Sequence, residues 1–177
     1  MTPDQKINSI VIVGGGTAGW LTAGIIAAEH SANGTAINDL VDVQITLVES
    51  PDVPTIGVGE GTWPSMKSTL QKMGISETDL IRECDASFKQ GTLFNGWKTG
   101  GNDAYTHPFT PPHSYASTNL APQWQKFRNE VAFADAVSSQ NALMFQCLAP
   151  KQISTPEYAF NANYGYHLDA GKFAELL

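Results

Sequence analysis

One short stretch, "VGGGTAGW" at Val13–Trp20, constrains the fold of this chain more than any other feature. It carries the pattern Gly14-x-Gly16-x-x-Gly19. It follows a β-branched run that is typical of a buried strand, and it opens a segment of small and apolar residues that is typical of a helix. In that context Gly14 permits a tight turn, Gly16 lets the backbone approach a pyrophosphate, and Gly19 lets the helix pack on the strand. The pattern therefore predicts the dinucleotide-binding turn of an α/β fold.

A second strand and an acid follow in the order that such a unit requires. Residues 41–50 are predicted to form the strand, and Glu49 at its end can accept hydrogen bonds from an adenosine ribose. Glu49 lies further along than the usual position about 20 residues after the glycines, and an extended segment at 31–40 accounts for the difference. A structural turn followed by a solvated acid is the alternative. The motif by itself does not distinguish NAD from FAD.

The composition argues against several classes of function. Ten Lys and Arg stand against 17 Asp and Glu, a net charge of -7, so no basic face for a nucleic-acid backbone is expected. The two cysteines, Cys84 and Cys147, form no CxxC or Cys/His cluster, and we expect them to be packing residues in a reducing compartment. The sequence has no apolar run of membrane length and starts with the polar "MTPDQKINS". A cytoplasmic protein without a membrane partner is expected.

Three motifs in order, "IVIVGGGTAGW", "IGVGEGTWPS" and "SFKQGTLFNGW", together resemble the flavin-dependent tryptophan halogenase family. That family shows a GxGxxG with Trp directly after it, a GVGEaT-P loop, and a Phe-Lys ahead of an Asn-Trp strand end. "YHLDAGKFAELL" is similar to the YHFDA…FA segment of the family, so the resemblance spans essentially the whole chain. It implies an α/β, FAD-binding Rossmann-like fold of the glutathione reductase type, with three layers and incomplete in this chain.

The resemblance gives a role to the second glycine-rich loop, Thr55–Ser65. In the family this loop is a strap between the flavin site and the substrate site. Its glycines would let backbone lie against the isoalloxazine ring, and Pro64 would anchor the loop on the next helix. A plain connection whose glycines only make turns is the alternative. The residues predicted to bind FAD are Gly14, Gly16, Thr17, Ala18, Gly19, Glu49, Ser50, Gly57, Val58, Gly59 and Glu60.

Lys89, in "SFKQG", is the predicted catalytic residue. By pattern alone, a lysine on a strand between Phe88 and Gln90 would point to solvent. The resemblance instead implies that Lys89 lies in a tunnel between flavin and substrate, where it positions or carries hypohalous acid. A primary amine suits that role, because it can hydrogen-bond an oxidised halogen or form a haloamine with it.

The remaining candidates lack a pattern that assigns chemistry to them. No metal site is expected, because the histidines lack the spacing of metal ligands. His167 is interpreted as an ordinary strand histidine. Trp97, His107 and Phe109 are options for the border of an aromatic substrate pocket, but residues 98–122 are predicted to be loop and give no register to choose among them.

We expect the chain to be the N-terminal portion of a longer halogenase-like flavoprotein. Residues 1–97 would form the dinucleotide-binding core, with the strap loop at 50–64, and 98–177 would begin a substrate-side region. The helix opened by Asp169 reaches Leu177 without a glycine or a polar tail. The Gly-Trp-x-Trp-x-Ile-Pro segment of the family, the acid that partners the lysine, and the Thr-Gly turn associated with halide are absent from the sequence, and in the family they lie downstream. Residues 1–177 alone are therefore expected to be inactive.

The resemblance implies that the full-length protein is an enzyme that uses FADH2 from a separate flavin reductase, with oxygen and halide as co-substrates. Hypohalous acid formed at the flavin would halogenate an electron-rich aromatic such as an indole. Because Trp63 stands where better-known members have an aliphatic residue, free tryptophan as the substrate stays open. The alternatives are an FAD-dependent monooxygenase or oxidase that does not use halide, and a non-catalytic flavin-binding fragment. A homodimer is one option for the oligomeric state.

Overall fold

The computed structural model describes residues 7–31, 43–53 and 59–177. These residues belong to two compact units. The first unit comprises Met1–Glu60, Ser65–Ser87 and Leu168–Leu177, and the second comprises Gly61–Pro64 and Phe88–His167. The predicted division into a core at 1–97 and a substrate-side region at 98–177 concerns domains of the full-length protein and stays a prediction.

The first unit contains the predicted strand, glycine turn, helix and strand. Strand β1 (Ser9–Val13) leads into helix α1 (Thr17–Ser31), and strand β2 (Gln44–Val48) pairs parallel to β1 with Ser9 opposite Gln44 and Val13 opposite Val48. β-branched side chains on both strands explain the pairing, and small residues in α1 allow close packing. The prediction for this part of the chain is confirmed, except that Ser31, the first residue of the extended segment predicted at 31–40, belongs to α1. Residues 32–40 of that segment lie outside the described residues.

Among the described residues, the first unit also contains the helices α2 (Met66–Lys72), α3 (Glu77–Glu83) and α7 (Ala170–Leu176). Ser76 caps the start of α3, because its side chain accepts a hydrogen bond from the Asp79 N–H. Asp169 caps α7 in the same way through the Lys172 N–H. Leu70, Leu80 and Phe173, one from each helix, are fully buried and form the core of this unit.

The second unit contains an antiparallel hairpin of β5 (Gly91–Asn95) and β6 (Ala104–Pro108), with Gly91 opposite Pro108. The prediction of loop throughout 98–122 is therefore wrong for β6. The single strand predicted across "SFKQGTLFNGW" is also wrong, because β4 (Ser87–Lys89) ends one residue before β5 begins. Gln90 separates them, since its carbonyl accepts the Phe109 N–H and its amide group donates to the Leu148 carbonyl at 2.7 Å.

Short helices complete the second unit: α4 (Ala121–Trp124), followed by a 3-10 turn at Gln125–Phe127, then α5 (Phe133–Val137) and α6 (Gln140–Phe145). α5 and α6 are separate helices, because Ser138 between them is extended at φ -150°. The buried Gln140 side chain accepts the Thr110 N–H at 2.7 Å and donates to the Asn163 carbonyl at 2.6 Å. It thereby fixes the backbone that follows Phe109.

The third sheet has the strand order β3 (Gly59–Gly61), β7 (Gly165–Asp169), β4. Beyond β3, Thr62 continues the pairing: its N–H donates to the Tyr166 carbonyl, and its hydroxyl oxygen accepts the Tyr166 N–H. In the part of the chain that the structure describes, the fold is thus mixed α/β with three small sheets. Among the helices of the described residues, none is long and apolar enough to cross a membrane.

Candidate functional site

The glycine turn after β1 has the geometry that the sequence pattern requires. Gly14 has a positive φ of 125°, and its N–H donates to the Val48 carbonyl at 2.9 Å. A Cβ at Gly19 would overlap the Gly14 carbonyl oxygen. Position 19 therefore accepts only glycine while the turn keeps this shape.

The space above this turn can accept an anionic group. A Cβ added at Gly16 meets no atom within 4 Å, so the backbone there is open to a ligand. Thr17 and Ala18 form the first turn of α1, whose N–H groups have no partner inside the helix. Together with the helix dipole they suit a pyrophosphate.

Glu49 lies beside the same turn. It follows β2, and its carboxylate lies so close to Gly15 that a Cβ there would overlap Oε2. Gly15, Trp20 and Glu49 border a cavity of about 490 Å³, to which Gly171 and Ala174 of α7 also contribute. Sequence reasoning predicted Glu49 and missed the contribution of α7. The neighbouring Ser50 hydroxyl oxygen accepts the Asp52 N–H at 3.3 Å, a local turn contact.

Glu60, the acid of the strap loop, reaches the start of α1. Its Oε1 accepts a hydrogen bond from the Thr17 hydroxyl at 3.2 Å. Two residues that were predicted independently as cofactor ligands are thus in contact. Gly59 lies in β3 beside Glu60, whereas Gly57 and Val58 lie outside the described residues.

Lys89, in the second unit, lies beside two adjacent aromatic rings. Its Nζ lies 5.9 Å from the centroid of the Trp63 ring and 5.6 Å from that of Phe109, within the range of a cation–π contact. The two ring centroids are 5.5 Å apart. Lys89 is half-buried, so the solvent-facing orientation that its strand pattern alone predicts is wrong.

His167 is the neighbour of Lys89 that sequence reasoning missed. A Cβ built on Gly61 would lie 2.9 Å from Lys89 Nζ and 3.4 Å from His167 Nδ1, so amine and imidazole lie on the same side of Gly61. Burial of part of the ring, and then the charge of Lys89, lower the pKa of His167 from its ordinary value of 6.5. Both residues border a cavity of about 370 Å³ that Met144 and Cys147 also line.

A second cavity of about 380 Å³ in this unit has a more apolar lining. His107 and Phe109 border it together with Tyr115, Phe133 and Val137. Two of the three residues considered for an aromatic pocket therefore lie on one cavity. Trp97 does not, because it is 75% exposed and packs edge-on against Phe94.

The sequence profile of the tryptophan halogenase family matches residues 9–177. The chain belongs to this family. Over 98% of its length the chain is 32% identical to the tryptophan 6-halogenase of Streptomyces albogriseolus, and it covers 34% of that protein. The match therefore spans about a third of the length of the curated relatives.

Solved structures of halogenases agree with this assignment. The tryptophan halogenase of Shewanella frigidimarina is 53% identical, with a TM-score of 0.87 over 97% of this chain and 34% of that one. A flavin-dependent halogenase from Xanthomonas campestris is 30% identical, with a TM-score of 0.73 over 97% of this chain and 32% of that one. The predicted family and the predicted Rossmann-like fold class are confirmed.

The two cysteines of this halogenase-family chain have different environments. Cys84 is fully buried, and burial, followed by the charge of Asp169, raises the pKa of its thiol to about 11. Cys147 is exposed. The prediction that both are packing residues is right for Cys84 and wrong for Cys147. Within the ranges that the structure describes, no group of three potential ligands could hold a metal ion.

Proposed function

We propose that the full-length protein carrying this chain is an FAD-dependent halogenase of electron-rich aromatic compounds. Membership of the tryptophan halogenase family supports the class of reaction. The observation that carries the proposal is the half-buried Lys89 amine, which lies within cation–π distance of the Trp63 and Phe109 rings. Because the chain spans only a third of its relatives, the activity belongs to the full-length protein.

The residues of the first unit fit FAD. The open backbone at Gly16 and the first turn of α1 would hold the pyrophosphate, and Glu49 would accept hydrogen bonds from the ribose hydroxyls. The Glu60–Thr17 hydrogen bond would keep the strap strand at the start of α1. The predicted contacts of Gly57 and Val58 with the flavin stay part of this proposal.

Reduced FAD, delivered as FADH2 by a separate flavin reductase, would supply hypohalous acid from oxygen and halide. The chain's own contribution is the amine of Lys89. In its neutral form the amine can accept the halogen from hypohalous acid, giving a haloamine and water, or it can hold the acid by a hydrogen bond. Lys89 is half-buried beside the Trp63 and Phe109 rings, so the contact of its amine with water is reduced.

The proposed substrate is a small aromatic compound of the indole type. The apolar cavity bordered by His107, Phe109 and Phe133 suits a flat ring, because aromatic side chains pack on ring faces and edges. Phe109 belongs both to this cavity and to the surroundings of Lys89. A substrate ring against Phe109 would therefore lie near the amine.

The test of this proposal is the Lys89→Met variant of the full-length protein, given reduced FAD, bromide and an indole. Arene bromination is expected to fall by at least about 100-fold, while flavin reoxidation by oxygen and FAD affinity stay near the parent values. Lys98→Met is the matched control, because Lys98 is exposed. Bromination by Lys89→Met at the parent rate would contradict the role of Lys89. A parent protein that oxidises flavin without using halide would instead be an oxidase.

A further inference from the structure

Trp63 places an indole next to the proposed reactive amine. Its side chain is 59% exposed, and Lys89 Nζ lies over the face of its ring, 5.9 Å from the centroid. A halogen carried on that nitrogen would extend one bond length towards the ring. It would then approach the π face, which is the face that attacks an electrophile.

The neighbouring Phe109 shows why Trp63 is distinctive. Its ring centroid is at a comparable distance from Nζ, 5.6 Å, but the residue is only 7% exposed. Its benzene ring is also a far weaker nucleophile towards halogen than an indole. Both rings thus lie at a similar distance from the amine, but of the two only Trp63 has an indole ring, the ring type of the proposed substrate.

We propose that Trp63 is a self-halogenation site, modified through Lys89 when no arene substrate occupies the protein. The inference rests on the proposed halogenase function. The N–X bond of Lys89 breaks, a C–X bond forms on the indole, and the ring proton passes to the lysine nitrogen, which regenerates the amine. The net reaction converts hypohalous acid and an indole C–H into a C–X bond and water. The oxidant is the hypohalous acid that the proposed activity supplies.

The same arrangement makes Trp63 a competitor of the substrate. An indole bound near Phe109 would react with the halogen held at Lys89. Bound substrate should therefore reduce the halogenation of Trp63. Free hypohalous acid behaves differently, because it attacks according to exposure. Trp97, at 75% exposed, is more accessible than Trp63, and the exposed Cys147 would be oxidised as well.

The experiment uses the full-length protein with reduced FAD, oxygen and bromide, without an arene, followed by peptide mass spectrometry. We expect bromine in the Trp63 peptide at more than about tenfold the level in the Trp97 peptide, because the lysine holds the halogen beside Trp63. We expect this labelling to be lost in Lys89→Met and to fall when an indole is added. Protein treated with hypobromous acid alone is the reference, and there Trp97 should be brominated at least as much as Trp63.

Four outcomes would overturn the inference. Equal labelling of Trp63 and Trp97 during turnover would mean that the oxidant is diffusible, and labelling of Trp63 in Lys89→Met would mean that the amine is not its source. Bromination of added indole with Trp63 unmodified would refute self-halogenation and leave the proposed function standing. Bromination of neither indole nor protein would contradict both.

Discussion

Lys89 and His167 illustrate what single residues contribute to this site. The short "SFKQG" motif was enough to select Lys89 as a candidate, because it matches a short motif of the family in which the lysine has a fixed position. The neighbours Trp63, Phe109 and His167 come from distant parts of the chain. Their meeting depends on the pairing of β3, β4 and β7, which local patterns do not encode. His167 therefore looked like an ordinary strand histidine.

The lowered pKa of His167 predicts a pH dependence of stability. Because its pKa in the folded protein lies below the value of 6.5 expected in the unfolded chain, the unfolded chain binds more protons between these values. The free energy of unfolding should therefore fall as the pH is lowered through 6.5 towards the folded-state pKa. In His167→Gln this part of the decrease should be missing.

Thermal unfolding midpoints of the full-length protein, measured between about pH 5 and about pH 7.5, would check this. The Lys89→Met variant is the companion, since it removes the second cause of the lowered pKa and should make the decrease smaller. Identical pH profiles for parent and His167→Gln would contradict the assignment.

The secondary-structure elements were predictable to very different degrees. The β1–α1–β2 unit follows from a β-branched run, a glycine pattern and a second β-branched run, all of them local signals. Asp169 indicated the start of α7, because its side chain is of the type that caps a helix. Strand β6 was not predicted, because it lies in a stretch rich in glycine and proline. Its pairing with β5 makes it a strand, and that pairing is not a local sequence signal.

Two glycines, Gly165 and Gly61, lie near the backbone pairing of Thr62 with Tyr166. Substituting each by alanine tests how rigid its surroundings are. A Cβ at Gly165 would lie 2.5 Å from the Thr62 carbonyl oxygen, which is backbone and cannot move without breaking the pairing. A Cβ at Gly61 would lie 2.9 Å from Lys89 Nζ, the end of a flexible side chain. Gly165→Ala should therefore destabilise the full-length protein by roughly 1–3 kcal/mol, and Gly61→Ala by less than about 0.5 kcal/mol.

Denaturant unfolding of the two variants beside the parent measures this difference. Equal losses of stability in the two variants would show that the Lys89 amine is as rigidly held as the backbone.

At the scale of the whole molecule, the distribution of apolar surface stands out. The two-stranded parallel sheet of β1 and β2 alternates half-buried and exposed residues. Its exposed side carries Val11 at 60%, Val13 at 83% and Val48 at 48% exposure. Parallel sheets are normally covered on both faces, so this row of valines is unusual for a sheet face in contact with water. Sequence patterns predicted these strands as buried, because β-branched runs do not reveal which face a short sheet leaves uncovered.

This valine row leads to a prediction for a polypeptide of residues 1–177 produced alone. We expect it to self-associate, because an apolar patch on a sheet face favours contact between copies. The double variant Val11→Thr and Val13→Thr keeps the β-branched shape that suits a strand while making the face polar, and should weaken self-association by about tenfold or more. Ile12→Thr is the control: Ile12 is half-buried on the other side of β1, so its change should lower stability without relieving association.

Sedimentation velocity over a concentration series would measure the self-association of all three proteins. A parent polypeptide that stays monomeric and melts cooperatively would show that the valine row does not drive association.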